Sequence, residues 1–98
     1  MFPRFRIDVP LAVTNSRGSR TASKFIDISE GGARIASVPD LNLQDPCTLH
    51  IEGIAASIAF IVREKTEHQT LLELAAEGET RQQYLAWLHR QMSGLVAA

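Results

Sequence analysis

Apolar and polar residues alternate from the seventh position onward, with Ile7, Val9, Leu11 and Val13 interleaved with Asp8, Pro10, Ala12 and Thr14. A period of two is that of a strand with one face buried. Pro10 has no amide to give to a ladder, so the pattern predicts an edge or a bulge at that point. The polar run 15–19, Asn-Ser-Arg-Gly-Ser, then reads as a turn. Further strands are predicted over about 20–27, 33–38, 48–51, 55–64 and 69–75, separated by Ser29-Glu30-Gly31-Gly32, a Pro- and Asn-containing loop at 39–46, Gly53 and a charged segment at 64–68. Six short antiparallel strands at such spacing predict a mainly β fold, a closed barrel or a sandwich.

The period changes near residue 80. Tyr84, Leu85, Leu88, Met92 and Leu95 recur at spacings of three and four, with Arg81, Gln82, Arg90 and Gln91 mostly off the stripe. This predicts an amphipathic C-terminal helix over 80–95 that buries its stripe on the barrel. Thr80-Arg81-Gln82-Gln83 has the form of a capping box and places the helix start at Thr80. Trp87, beside the stripe, reads as a packing or interface residue.

At 98 residues the chain has room for one core. The expected organisation is a single domain over 1–98, with a leader at 1–7, a barrel at 8–76 and the helix. The net charge of −1 argues against DNA or RNA as the partner. The charge is unevenly placed, however. Residues 1–35 hold six Lys or Arg against three Asp or Glu, net +3, and residues 36–98 hold four against eight, net −4. A basic front on an acidic body suits a small anionic ligand. Cys47 is the only cysteine, which excludes an internal disulfide and points to an intracellular setting. The longest apolar stretch, 54–62, falls far short of the roughly 20 residues that span a bilayer, so no membrane insertion is expected of this chain.

Two stretches hold the candidate chemistry. In Phe25-Ile-Asp-Ile-Ser-Glu-Gly-Gly-Ala-Arg-Ile35, a strand runs into Asp27, Ser29, Gly31 and Gly32 and then resumes. The glycines allow positive φ and close backbone approach. Asp27 and Ser29 are two apart and share a face of an extended chain. A carboxylate accepts from the N1–H and amine of guanine, while a hydroxyl or a free amide donates to phosphate. The plain alternative is a polar turn whose Asp and Ser bond to their own backbone. Ahead of the first strand, Arg4 and Arg6 offer guanidinium groups that pair with phosphate and stack on purines. They lie in a segment read as mobile and able to fold over a ligand; solvated surface arginines are the plain alternative. His50, His68 and His89 share no short spacing, so no metal site is expected. Neither Asp27 nor Cys47 has a paired acid or base, so no enzyme is expected.

An arginine before an alternating strand containing Val-Pro, followed by Asp-x-Ser-x-x-Gly at Asp27, Ser29 and Gly32, resembles the PilZ family. The resemblance covers the whole chain. It implies a six-stranded Greek-key (split) β-barrel with a C-terminal α-helix that binds cyclic di-GMP without transforming it and needs no other cofactor. It also implies a bacterial cytoplasmic setting and a protein partner or an attached effector domain. Asp27 and Ser29 would contact guanine and its neighbours, and Gly32 would permit the fit. The family's Arg-x-x-x-Arg motif is matched at its second arginine by Arg4, with Arg6 as a partial substitute. Its first arginine falls ahead of Met1 and is absent from this sequence, which allows either a domain from a longer chain or weakened nucleotide binding. A nucleotide-blind adaptor using Tyr84 and Trp87 as its contact surface is the competing expectation.

Overall fold

A computed structural model of the chain, describing residues 4–97, contains seven strands and one helix. In chain order these are β1 Leu11–Thr14, β2 Arg20–Ser23, β3 Phe25–Ser29, β4 Gly32–Ala36, β5 Pro46–Ile51, β6 Ile58–Lys65, β7 Gln69–Leu74 and α1 Gly78–Ala97. All pairings are antiparallel, in the order β2-β1-β5-β6-β7-β4-β3. The expected antiparallel barrel with a C-terminal helix is therefore present, with seven strands in place of six.

The extra strand comes from the stretch read as one strand over 20–27. Its first half pairs with β1 and its second half with β4, at opposite edges of the sheet. A straight strand cannot reach both, so the chain breaks at Lys24 and carries a bulge between Phe25 and Asp27. The break is itself held: Ala36 N donates to Lys24 O at 2.9 Å, and Ser23 Oγ donates to Ala36 O at 3.1 Å. One bent segment thus joins the two edges and nearly closes the barrel, leaving little unpaired edge.

Inside lie Leu11, Val13, Ile28, Ile35, Leu49, Ile58, Phe60, Val62 and Leu72, all buried and mostly at alternate positions of their strands. The first strand begins at Leu11 rather than near Ile7. Ile7 and Val9 pack partly against the core ahead of it, and Pro10 stands just outside the ladder, where its carbonyl accepts from Glu52 N at 3.1 Å. Proline's missing amide is thereby kept off the sheet.

The helix begins two residues earlier than expected, and the capping box does not form. Thr80 lies inside the first turn, and its hydroxyl donates to Glu77 O at 3.0 Å instead of accepting from an amide. The start is made by Gly78 at φ +60°, a conformation that costs little without a Cβ. Tyr84 and Leu88 of the stripe are buried and Leu85 and Met92 partly so; Leu95 lies outside the described side chains, as Phe2 and Pro3 lie outside the described residues. Trp87 is buried as well, at 2 % exposure. Its ring stands 6.4 Å from Phe25 and 6.3 Å from Tyr84, while Tyr84 meets Phe60 edge-on at 5.7 Å and 82°. With both rings in the core, Tyr84 and Trp87 are not available as the contact surface of an adaptor. Among the described residues no helix is long and apolar enough to cross a membrane.

Cys47 is buried in β5, and burial pushes its thiol from 9.0 up to about 11. The thiolate is the reactive form, so a maleimide at neutral pH is expected to label Cys47 only after denaturant is added. The unfolded thiol ionises first, so this residue's contribution to stability is complete below pH 9.0 and falls as pH rises toward about 11. A denaturation series across that range, read against Cys47→Ala, measures it.

Candidate functional site

The turn between β3 and β4 is built by the residues around it. Ser29 pairs with Gly32, and Glu30 and Gly31 make the connection. The Ser29 hydroxyl is spent locally, donating to Gly32 O and accepting from Gly31 N, each at 3.3 Å, and the residue is only 2 % exposed. From beneath, the buried Tyr84 hydroxyl donates to Ser29 O at 2.6 Å. Burial pushes the pKa of Tyr84 well up; the positive charge of Arg4 opposes that rise and Glu30 adds to it. The hydroxyl is therefore a neutral donor at ordinary pH. On the outside, His89 Nε2 lies 3.0 Å from Glu30 Oε1. The helix thus grips the turn at two points.

Gly32 is required here for closeness rather than for an unusual φ. The positive φ values of the described residues fall at Gly18, Gly53, Gly78 and Gln44, and neither Gly31 nor Gly32 is among them. A Cβ on Gly32 would instead stand 2.1 Å from the carbonyl oxygen of Leu72 on β7. Across the same seam, Leu74 N donates to Gly31 O at 2.8 Å. Of the two properties the Gly-Gly pair suggests, close approach is the one the fold uses.

The arginine-bearing leader meets this turn from the side. Phe5 and Ile28 exchange both backbone hydrogen bonds, at 2.9 and 2.8 Å, so the leader lies as a short antiparallel bridge along β3. That bridge sets Arg4 beside Asp27, with Arg4 Nε to Asp27 Oδ1 at 2.5 Å. Asp27 is also opposed in register by Arg34 of β4, whose Nη1 lies 3.5 Å from Oδ2. The Asp27 side chain is 16 % exposed, so its carboxylate is partly withdrawn from water between two guanidinium groups.

Around these groups lies an open depression of about 450 Å³ on the outer wall, whose rim includes Arg4, Ser29, Gly31, Gly32, Arg34 and Arg63. Four of the six residues singled out from sequence line it, and Asp27 adjoins it through Arg4 and Arg34. Arg6 does not join them. It lines a separate groove of about 770 Å³ shared with Ile7, Phe25 and Gln91. Arg34 and Arg63 were not singled out. Arg34 sits two places past Gly32, and strand alternation would have put it on the outer face. Arg63 carries no such signal, because it lies in the bulge of β6 and reaches the rim only through sheet pairing. Its guanidinium is held by Glu73 Oε2, at 2.6 and 3.2 Å, and by Gln44 Oε1 at 2.5 Å.

A carboxylate and a row of guanidinium groups over a shallow bowl suit a ligand that carries both a hydrogen-bond donor edge and anionic oxygens. The model of the family described as the PilZ domain matches residues 1–87. This chain belongs to the PilZ family. Solved structures agree with the fold. The PilZ domain of CeSA from a cellulose-synthesizing bacterium superposes with a TM-score of 0.80 at 17 % identity, covering 92 % of this chain and 98 % of that one. The MrkH–c-di-GMP complex of K. pneumonia gives 0.72 at 16 %, covering 93 % of this chain and 50 % of MrkH. The Bacillus subtilis inhibitor of motility MotI/DgrA gives 0.59 at 20 %, covering 95 % of this chain and 51 % of that one. This chain thus spans about half the length of the last two. No curated protein matches it in sequence. PilZ domains are in general binding modules for cyclic di-GMP rather than catalysts.

Proposed function

We propose that this PilZ domain binds cyclic di-GMP on its outer wall, in the depression between the leader and the β3–β4 turn, and acts as a non-catalytic regulatory module in the cytoplasm. The observation that carries this reading is the contact of Arg4 with Asp27, which brings the two family motifs together from positions 23 residues apart. In this reading a guanine edge takes the carboxylate of Asp27 and a phosphate takes the guanidinium of Arg4, exchanging one ion pair for two charge-assisted contacts with the ligand. Ser29 and Gly32 act by shaping the turn, and their backbone, pinned by Tyr84, is ready before the ligand arrives. Parting Arg4 from Asp27 reorients the leader about the Phe5–Ile28 bridge, and that movement is the signal passed to a protein partner or an attached effector domain.

Calorimetric titration with cyclic di-GMP tests this. Saturable binding is expected, and Arg4→Ala is expected to weaken it by about ten- to a hundred-fold, the loss of a charge-assisted contact worth about 1.5–3 kcal/mol. A flat titration of the wild-type chain at high micromolar nucleotide would remove the proposal.

A further inference from the structure

We propose that Arg34 is a second anion-binding residue of this site, placed to take an oxygen of the ligand's phosphodiester while Arg4 takes another. The proposal rests on the nucleotide reading above and assigns a ligand contact to a residue outside the family's two motifs.

Three observations single out Arg34. Its position is fixed by the sheet: on β4 its neighbours Ala33 and Ile35 are fully buried, so the arginine between them faces out, directly opposite Asp27. It lines the same depression as Arg4 and Arg63. It is also the guanidinium with donors left over. Arg4 has the short contact to Asp27, and Arg63 is chelated by Glu73 and Gln44. Arg34 has only the 3.5 Å approach to Asp27, and its Nε is buried without a hydrogen-bond partner among the described residues.

A buried donor left unpaired raises the free energy of the unliganded chain. The residue gains by turning its fork toward any anion that enters the bowl. Entry of the nucleotide also frees it, because a guanine edge on Asp27 competes for the oxygen that Arg34 faces. The acidic groups beside it are Asp27 and Glu73, both already matched by Arg4 and Arg63, so an incoming phosphodiester meets a guanidinium whose charge is not spent.

The test measures the affinity for cyclic di-GMP of wild type, Arg34→Gln, Arg34→Lys and Arg20→Gln at low and high salt. Arg20 lies on β2, outside the depression, and controls for net charge. Arg34→Gln is expected to lose about tenfold or more and to show a shallower salt dependence, as removal of a phosphate contact requires. Arg34→Lys, which keeps the charge without the fork, is expected to fall between, and Arg20→Gln to stay within about twofold. Circular dichroism spectra establish that each variant is folded; if Arg34→Gln is not, Arg34→Lys decides, and wild-type affinity in that variant overturns the proposal. Wild-type affinity in Arg34→Gln overturns the proposal while leaving nucleotide binding intact. A loss with unchanged salt dependence also overturns it, because Arg34 would then act only by orienting Asp27. Absence of binding by the wild type removes the nucleotide reading itself.

Discussion

Replacing Gly32 with alanine is expected to destabilise the domain by about 1–3 kcal/mol or more, because the new methyl group would stand 2.1 Å from the Leu72 carbonyl oxygen. That atom is backbone, held in the β4–β7 ladder where Gly32 pairs with Glu73, so it has no rotamer through which to move aside. Relief requires β4 and β7 to separate at the end that carries the turn. Against a total stability of about 5–15 kcal/mol the loss is a large fraction. It should appear as a fall in melting temperature of roughly 4–8 °C per kcal/mol. The comparison that isolates the cause is Gly18→Ala. Gly18 has φ +86° and nothing within 4 Å of an added Cβ, so that change costs only backbone strain, about 1–2 kcal/mol. Thermal melts of both variants by circular dichroism check the prediction. An unchanged melt for Gly32→Ala would mean that the strands separate at no cost. Because the same movement carries the carbonyls of Ser29 and Gly32 off the Tyr84 hydroxyl, the variant is also expected to lose ligand affinity below its melting point.

Asp27→Ala is expected to do the reverse, with a large effect on binding and a small one on stability. In the proposed complex the carboxylate is the only acidic group facing the guanine edge from β3. Losing a charged acceptor for two donors is expected to weaken cyclic di-GMP binding by about a hundred-fold or more, or about 2.7 kcal/mol. The fold loses much less. Asp27's ion pairs join side chains that are 32 % and 35 % exposed on the arginine side, so solvent screens them. The melting temperature is expected to move by the equivalent of about 1 kcal/mol or less. Asp27→Asn keeps the shape but turns part of the acceptor into a donor, and it should bind nearly as poorly. Calorimetry beside thermal melts gives both quantities on the same sample. Retention of wild-type affinity by Asp27→Ala would show that the guanine is read elsewhere.

Much of the architecture was legible because it depends on local order along the chain. The alternation around Leu11 and Val13 marks a strand whatever its neighbours turn out to be. The spacing of Tyr84, Leu88 and Met92 marks a helix for the same reason. Where local rules failed, a tertiary contact had overruled them. Thr80 resembled an N-cap, yet the chain enters the helix through Gly78 and Thr80 is used inside the first turn. Arg4 and Arg6 looked like a pair, yet the bridge at Phe5 sets only Arg4 against Asp27.

The amino-acid order by itself determined the strand and helix segments, the polar turn at Ser29–Gly32 and the residue types available for ligand chemistry. These follow from periods of two and of 3.6 and from the chemistry of side chains next to one another. Only the folded barrel decided that the chain must break at Lys24 to serve both edges and that Gly32 has to be bare because Leu72 lies against it. It also decided that Arg34 and Arg63 share the bowl with Arg4. Those facts concern residues far apart in the chain, and which of them touch depends on the order and register of strands around a closing sheet, a quantity that no short window of sequence contains.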